Sequence, residues 1–463
     1  MKKGETMEKA NILSVGEIIS LDVKKQGING EGIGYHEQLA VFVPGAIALE
    51  TVQVEIVDTK PGFAIGRMLS VTKTSEKRVT PPCSYFEKCG GCQMQHIDYA
   101  EQLKSKRHLL KQALKRYTTQ DPDRIDIRKT IGMKNPFGYR NKAQMPFSNT
   151  NFGLALGLYE VNSNRFVQID ECIVQDPVVN AVNKKILTLL TEAKYVAYDH
   201  MNREGILLNL ITRHMKSTGA VQVTLVVTRK PDGIAAIASK IMHELPQVKS
   251  VFLTVNAPKN TSMFGHSIEL LQGVPQIEEK IGDYSFKLSP DAFHQLNTDQ
   301  MLLLYEEIRK AALLTGVERV VDCYSGIGIT SILLARQAAS VVGIDYAEAS
   351  VKDAKQNAIA NRVKNVVFIQ DRVEKALPDL LAKKGVPDVI IFDPPRTGIE
   401  DAVIAEVIKA KAPRLVYVSC NPSTLAKNLH DLEAYYNIVY IQPIDMFPHT
   451  AGVESLTLLT RKP

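Results

Sequence analysis

Cys420 is placed where a thiol can act as a nucleophile. The run Arg414–Ser419 is apolar between its ends and reads as a buried strand, and Cys420 follows it directly. Asn421-Pro422-Ser423 then opens a predicted helix near Thr424–Leu429. A thiol beside a helix N-terminus is expected to have its pKa lowered by the helix dipole. A strand-end cysteine can also be an ordinary core residue; its place at the edge where ligands bind favours the reactive reading. Glu454 precedes a last predicted strand, Ser455–Thr460, and could serve as a general base. Spacing alone favours an exposed strand-end acid over a base. His449 and Cys323 read as structural.

A second group of residues could hold a cofactor. Val320-Val321-Asp322 ends a predicted strand (Arg319–Asp322), runs into Cys323-Tyr324-Ser325-Gly326-Ile327-Gly328, and then into a predicted helix, Ile329–Gln337. Glycines in such a turn let backbone N–H groups approach a ligand closely. The next predicted strand, Ser340–Asp345, ends in a carboxylate suited to the ribose hydroxyls of an adenosine. A dinucleotide fingerprint would need a third glycine where Ser331 stands, so S-adenosylmethionine is favoured over NAD. Asp393-Pro394-Pro395-Arg396 closes the predicted strand Asp388–Phe392 and directs a further carboxyl at the same crevice; Asp371, after Val366–Gln370, is a weaker candidate for the adenine side.

Of the six cysteines, Cys83, Cys89, Cys92 and Cys172 offer four soft ligands. Four thiolates suit zinc or an iron–sulfur cluster, and spacing alone does not choose between them. Disulfides are not expected in a chain of this kind.

The elements around these residues fall into three zones. From about Ile12 to Val71, short apolar runs alternate with glycine turns, as in a small β-barrel. A charged linker, Val71–Val79, and the cysteine segment precede a strong helical pattern, Tyr99–Tyr117. Its stripe is Leu103, Leu109, Leu110 and Leu114, and its other faces carry Lys104, Lys106, Arg107, Lys111, Lys115 and Arg116. That basic face is either solvated or turned toward phosphates. Gly153–Tyr159, Leu207–Thr212 and Val221–Val227 read as strands of an antiparallel sheet. From about Leu288 onward, helices alternate with buried strands, the signature of a parallel α/β sheet. A net charge of +6 permits an anionic partner without establishing one. No apolar run of 18 residues and no signal pattern occurs, so a soluble cytoplasmic protein is expected.

A thiol and a base together suit methylation of an electron-poor ring. Uracil C5 is a poor nucleophile; thiolate addition at C6 gives an enolate, and C5 can then attack a sulfonium methyl group. A base removes the C5 proton and elimination frees the thiol. The assembled residues resemble the RNA uridine-C5 methyltransferase family, which includes the bacterial 23S rRNA enzymes, over essentially the whole chain. The most specific stretch is Cys83-Ser-Tyr-Phe-Glu-Lys-Cys89-Gly-Gly-Cys92-Gln-Met-Gln-His96, similar to the family's [4Fe–4S] segment, with Cys172 in Asp170-Glu171-Cys172 matching the fourth ligand. Leu288-Ser-Pro-Asp-Ala-Phe-His-Gln295-Leu-Asn297 resembles the motif whose Gln contacts the methyl donor.

The resemblance implies an N-terminal OB-like TRAM β-barrel over 1–72, a central α+β iron–sulfur and RNA-binding domain over 73–285, and a Rossmann-like class I methyltransferase domain over 286–463. It implies cofactor contacts from Gln295, Tyr324, Asp345 and Asp393, with Cys420 as nucleophile and Glu454 as base. The 99–117 helix is expected to pack on the catalytic domain. The chain departs from relatives at Ile329, where some carry Asn, and at Tyr139-Arg140-Asn141-Lys142, where relatives are richer in Arg. The expected substrate is an unpaired uridine in 23S rRNA, flipped out because C6 is unreachable inside a helix, with tRNA as the alternative. Phe137 and Tyr139 are candidate base-stacking partners, and a monomer is expected. The rivals are an amino-methyltransferase, which needs no thiol, and a non-catalytic RNA-binding iron–sulfur protein.

Overall fold

The computed structural model describes residues 13–258, 260 and 262–463, so the predicted barrel edge at Ile12 lies outside the described residues. Five strands, β1 (Ile18–Gln26), β2 (Gly32–His36), β3 (Leu39–Val43), β4 (Thr51–Lys60) and β5 (Phe63–Lys73), close into a barrel in the order β1-β2-β3-β5-β4. Alternation of inward Val and Ile with outward polar residues gives it a filled core that includes Leu21, Val41, Val43, Val52, Val54 and Ile56. Glu50, buried at the barrel's edge, accepts a two-pronged hydrogen bond from Arg78 (2.6 and 2.7 Å), which anchors the barrel to the cysteine segment.

Helix α1 (Tyr99–Tyr117) starts at Asp98, whose carboxylate accepts from the Glu101 N–H (3.3 Å). Strands β6 (Lys142–Thr150), β7 (Gly153–Tyr159) and β8 (Phe166–Gln168), helix α2 (Pro177–Glu192), strands β9 (Leu207–Met215) and β10 (Ala220–Val227), helix α3 (Ile234–Glu244) and strands β11 (Val248–Val255) and β12 (Ile268–Gly273) follow. The strands form one sheet, β12-β11-β10-β9-β6-β7-β8. The sheet is mixed rather than wholly antiparallel: β10 and β11 run parallel because α3 carries the chain back between them. A hairpin of β13 (Ile277–Ile281) and β14 (Tyr284–Leu288) straddles position 286 and packs Ile277, Phe286 and Leu288 into the catalytic core.

The last part comprises α4 (Thr298–Ala312), β15 (Arg319–Cys323), α5 (Ile329–Ala335), β16 (Ser340–Asp345), α6 (Glu348–Ala360), β17 (Val366–Gln370), α7 (Val373–Lys384), β18 (Val389–Phe392), α8 (Asp401–Ala410), β19 (Arg414–Ser419), α9 (Pro422–Leu432), β20 (Tyr436–Ile444) and β21 (Glu454–Arg461). The sheet order is β17-β16-β15-β18-β19-β21-β20, parallel from β17 to β19, with β21 antiparallel to both its neighbours. The order reverses between β15 and β18, so a crevice opens beyond their carboxyl ends. Helix α1 lies against this domain through Leu110, Ala113 and Leu114, which join the core of Leu425 and Leu429. Among the described residues, no helix is long and apolar enough to cross a membrane.

Candidate active site

The parallel strands deliver their carboxyl ends to one crevice. Asp322 is the penultimate residue of β15, Asp345 ends β16, and Asp393 and Cys420 immediately follow β18 and β19. Glu454 arrives from the opposite direction. Arg414 pairs with Thr460 and Ser419 with Ser455 in the antiparallel β19–β21 ladder, so Cys420 and Glu454 adjoin the same end of it. The Ser455 hydroxyl donates to the Ser419 carbonyl (3.3 Å) and fixes that end of the ladder. Cys420 is partly exposed, whereas Glu454 is buried.

The loops are held by short-range capping. Asn421 caps α9, accepting from the Ser423 N–H (3.0 Å), with Pro422 in the first turn. Asn421 Nδ2 and Thr424 Oγ1 each donate to the Arg396 carbonyl (both 3.3 Å), so the turn after Cys420 pins the loop that carries Asp393. Asp345 accepts from the Gly326 and Ala347 N–H groups (both 2.9 Å), joining the glycine turn to the second strand. Gly326 has φ +53°, and no atom lies within 4 Å of where its Cβ would stand, which leaves room for a ligand against the turn. Tyr324 is half-buried in the same turn at φ 65°. Gln295 is buried, and its backbone carbonyl accepts from Asn141 Nδ2 (3.0 Å). Asp371 is exposed at the rim, Ile329 is buried as the first residue of α5, and Cys323 lies fully in the core.

The electrostatics differ from the expected thiolate. Burial, then the nearby carboxyls of Glu454 and Asp393, push the Cys420 thiol up to about 11, with Arg396 opposing. The helix dipole is outweighed because the thiol is partly withdrawn from water among acids. Burial holds Glu454 and Asp393 above the usual carboxylate range, and Asp393 raises Glu454 further. Burial likewise pushes Asp322 up to about 7, although the Ser331 hydroxyl donates to it (2.6 Å). These groups resist ionisation because each would add negative charge to one recess. A cation entering the recess reverses that, so the crevice suits a sulfonium better than a pyrophosphate.

Three comparisons with known proteins agree with this geometry. The family model described as tRNA (Uracil-5-)-methyltransferase matches residues 98–462, and that of the TRAM domain matches residues 13–69. The chain belongs to the RNA uracil-5-methyltransferase family. Its relatives include an uncharacterised RNA methyltransferase of Halalkalibacterium halodurans, 41% identical over 97% of each chain. Another, from Listeria innocua, is 40% identical over 98% of this chain and 99% of its own. Among solved structures, Pyrococcus abyssi tRNA (uracil-54, C5)-methyltransferase in complex with S-adenosyl-L-homocysteine has a TM-score of 0.76 and 26% identity, covering 96% of this chain and all of that one. This methyltransferase therefore carries a TRAM barrel and depends on S-adenosylmethionine; the amino-methyltransferase and non-catalytic readings are set aside.

Cys83, Cys89, Cys92 and Cys172 all line one cavity of about 160 Å³, together with Arg140, Gln95 and Gln175. Burial pushes Cys92 up to about 12 and raises Cys89 and Cys172. Among the described residues, no group of three or more His, Cys, Asp or Glu side chains forms a site for a single metal ion.

Two expectations about RNA-facing groups change. Lys106 does not belong to a basic outer face: it is fully buried and paired with Asp445. Tyr139 is buried and donates to the Pro448 carbonyl (3.0 Å), and Phe137 stacks on His449 with centroids 4.3 Å apart. What the sequence reading missed is the strap Asp445–Val453 between β20 and β21, whose partners lie far away in the chain. Asp322, read only as a strand end, also belongs to the acidic recess.

Proposed function

We propose that this methyltransferase methylates C5 of an unpaired uridine in 23S ribosomal RNA, with Cys420 as nucleophile and Glu454 as base. The observation that supports the reading is that the β19–β21 register ends at Ser419 opposite Ser455, next to Cys420 and Glu454, and that the Glu454 carboxyl lies near enough to raise the Cys420 thiol. When bound, S-adenosylmethionine supplies an electrophilic methyl group on a sulfonium. Gln295, Tyr324, Asp345 and Asp393 are the groups that would hold it; the open space at Gly326 and the acidic lining fit such a cation.

Cys420, partly exposed, gives up its proton to water, and its sulfur forms a bond to uracil C6. The electron pair displaced from the C5–C6 double bond makes C5 nucleophilic, and C5 would gain the methyl group as its bond to the donor's sulfonium sulfur breaks and leaves that pair on the sulfur. Glu454, which its raised pKa obliges to lose its own proton to water first, then takes the C5 hydrogen as a proton. The C–H pair re-forms the double bond, the C6–S bond breaks, and Cys420 leaves as thiolate.

The ribosomal substrate is supported by the joint presence of the TRAM barrel and the four-cysteine segment, which the family resemblance ties to large-subunit enzymes. A second reading, tRNA uridine, is favoured by the Pyrococcus abyssi relative, which acts on tRNA. We further propose that Cys83, Cys89, Cys92 and Cys172 hold a [4Fe–4S] cluster. Four thiols ringing a cavity, rather than meeting at a point, provide the donor set and space that a many-atom cluster needs.

Cys420→Ala is expected to abolish methyl transfer to uridine while binding of S-adenosylhomocysteine, followed by calorimetry, persists. Methyl transfer by the alanine variant would overturn the mechanism. Mapping 5-methyluridine in total RNA with and without the gene distinguishes ribosomal from transfer RNA.

A further inference from the structure

The strap Asp445–Val453 carries the chain from β20 to Glu454, and residues outside the sheet hold it almost throughout. The Gln93 and Met94 N–H groups both donate to the His449 carbonyl (3.0 and 2.9 Å). The Gln102 carboxamide accepts from the His449 N–H (3.1 Å), and its Nε2 lies 3.2 Å from His449 Nδ1. His449 sits at φ 65°, a left-handed conformation that a non-glycine residue keeps only when its surroundings impose it. Lys106 Nζ donates to the Phe447 carbonyl (2.9 Å) and pairs with Asp445.

One side chain links this strap to the cysteine segment. Gln93 directly follows Cys92. Its Nε2 donates to the Gly90 carbonyl (2.8 Å), and its Oε1 accepts from the Ala451 N–H (3.4 Å). The barrel reaches the same point: a Cβ on Gly30 would stand 2.8 Å from Gln93 Cβ and 3.5 Å from Ala451 Cβ. Ile47 of the barrel packs with Met94, Ile97 and Ala451. Barrel, cysteine segment and strap thus meet three residues before Glu454.

We infer that Gln93 is a positioning residue for the reaction: bridging Gly90 and Ala451, it fixes the strap that presents Glu454 to the substrate. The inference rests on the reading of Glu454 as base. A misplaced base slows proton removal without touching the addition of Cys420, so the covalent RNA–protein species must build up. Small displacements of a reacting group cost up to about a hundredfold in rate.

The test uses the full chain with its RNA substrate. Gln93→Leu is expected to lower kcat about ten- to a hundredfold and to lower KM for RNA with it, leaving kcat/KM within about twofold, because the slowed step follows methyl transfer. A denaturant-stable RNA adduct should accumulate at steady state. Gln93→Glu, which retains the acceptor for Ala451 but loses the donor to Gly90, should restore only part of the rate. Gly30→Ala attacks the same junction from the barrel and should also accumulate adduct, which keeps the test open if Gln93→Leu does not fold. Glu454→Gln is run alongside. If Glu454→Gln traps adduct and neither junction variant does, the positioning role is overturned. If Glu454→Gln traps none, the assignment of the base itself fails.

Discussion

At the residue scale, Asp322, Asp393 and Glu454 are tuned against ionisation by burial, and the cost falls on the fold. Asp322 is buried beneath the glycine turn and is pushed up to about 7 by burial, with Asp393 and Asp345 adding to the effect. The folded state therefore holds this proton to higher pH than the unfolded chain does. Asp322 favours folding fully at pH below the ordinary carboxylate range, and that contribution is lost as pH rises towards about 7. Asp322→Asn keeps an acceptor for the Ser331 hydroxyl and removes the charge. It is expected to raise the thermal unfolding midpoint at pH 8 and to leave it little changed at pH 4, where Asp322 is already protonated. An unchanged or lower midpoint at pH 8 would show that the ionised form is stabilised by something other than Ser331. The positions of Cys420, Asp345 and Asp393 were legible because buried apolar runs mark the strands whose ends they occupy. The thiol's pKa was not legible: the dipole of the following helix is local in sequence, but the burial that outweighs it, and the carboxyls that add to it, come from other strands.

At the scale of elements, helix α1 shows the same division. Its bounds follow from Asp98 and from an apolar stripe, so Tyr99–Tyr117 is read correctly from the chain. Its buried face is not, because Lys106 is placed with the basic residues until its partner is known. That partner, Asp445, lies 339 positions away and also accepts from the Tyr99 hydroxyl (2.8 Å). Burial lowers the Lys106 pKa, and Asp445 opposes the shift. Removing one member of a buried ion pair strands the other, at a cost of about 3–5 kcal/mol. Lys106→Met is expected to destabilise the protein by about that amount in urea unfolding, and Lys106→Met with Asp445→Asn should recover part of it. Equal loss in the single and double variants would mean that packing, rather than the stranded carboxylate, sets the cost. Parallel pairing of β10 and β11 was hidden for a similar reason, since strand patterns do not reveal the direction of a neighbour.

At the scale of the molecule, the cysteine segment takes part in several of the contacts that join the barrel to the C-terminal sheet and its strap. Arg78 holds barrel residue Glu50, Val79 N–H donates to the His96 carbonyl (3.0 Å), and Gln93 and Met94 hold His449. The barrel was legible from its glycine turns and the catalytic sheet from its buried strands. Their junction was not, because it depends on backbone groups that any residue supplies. If the four thiols bind a cluster, that cluster cross-links residues 83–92 to Cys172 and stiffens the segment that braces the strap. Replacing Cys83, Cys89, Cys92 and Cys172 by Ser should then remove iron and sulfide from anaerobically purified protein. It should also speed amide hydrogen exchange at Gln93, Met94 and the strap by local opening, while β15 and β16 in the sheet interior keep their protection. Exchange at the strap unaffected by loss of the thiols would separate the cluster from the active site, leaving hydrogen bonds and apolar packing to hold the junction.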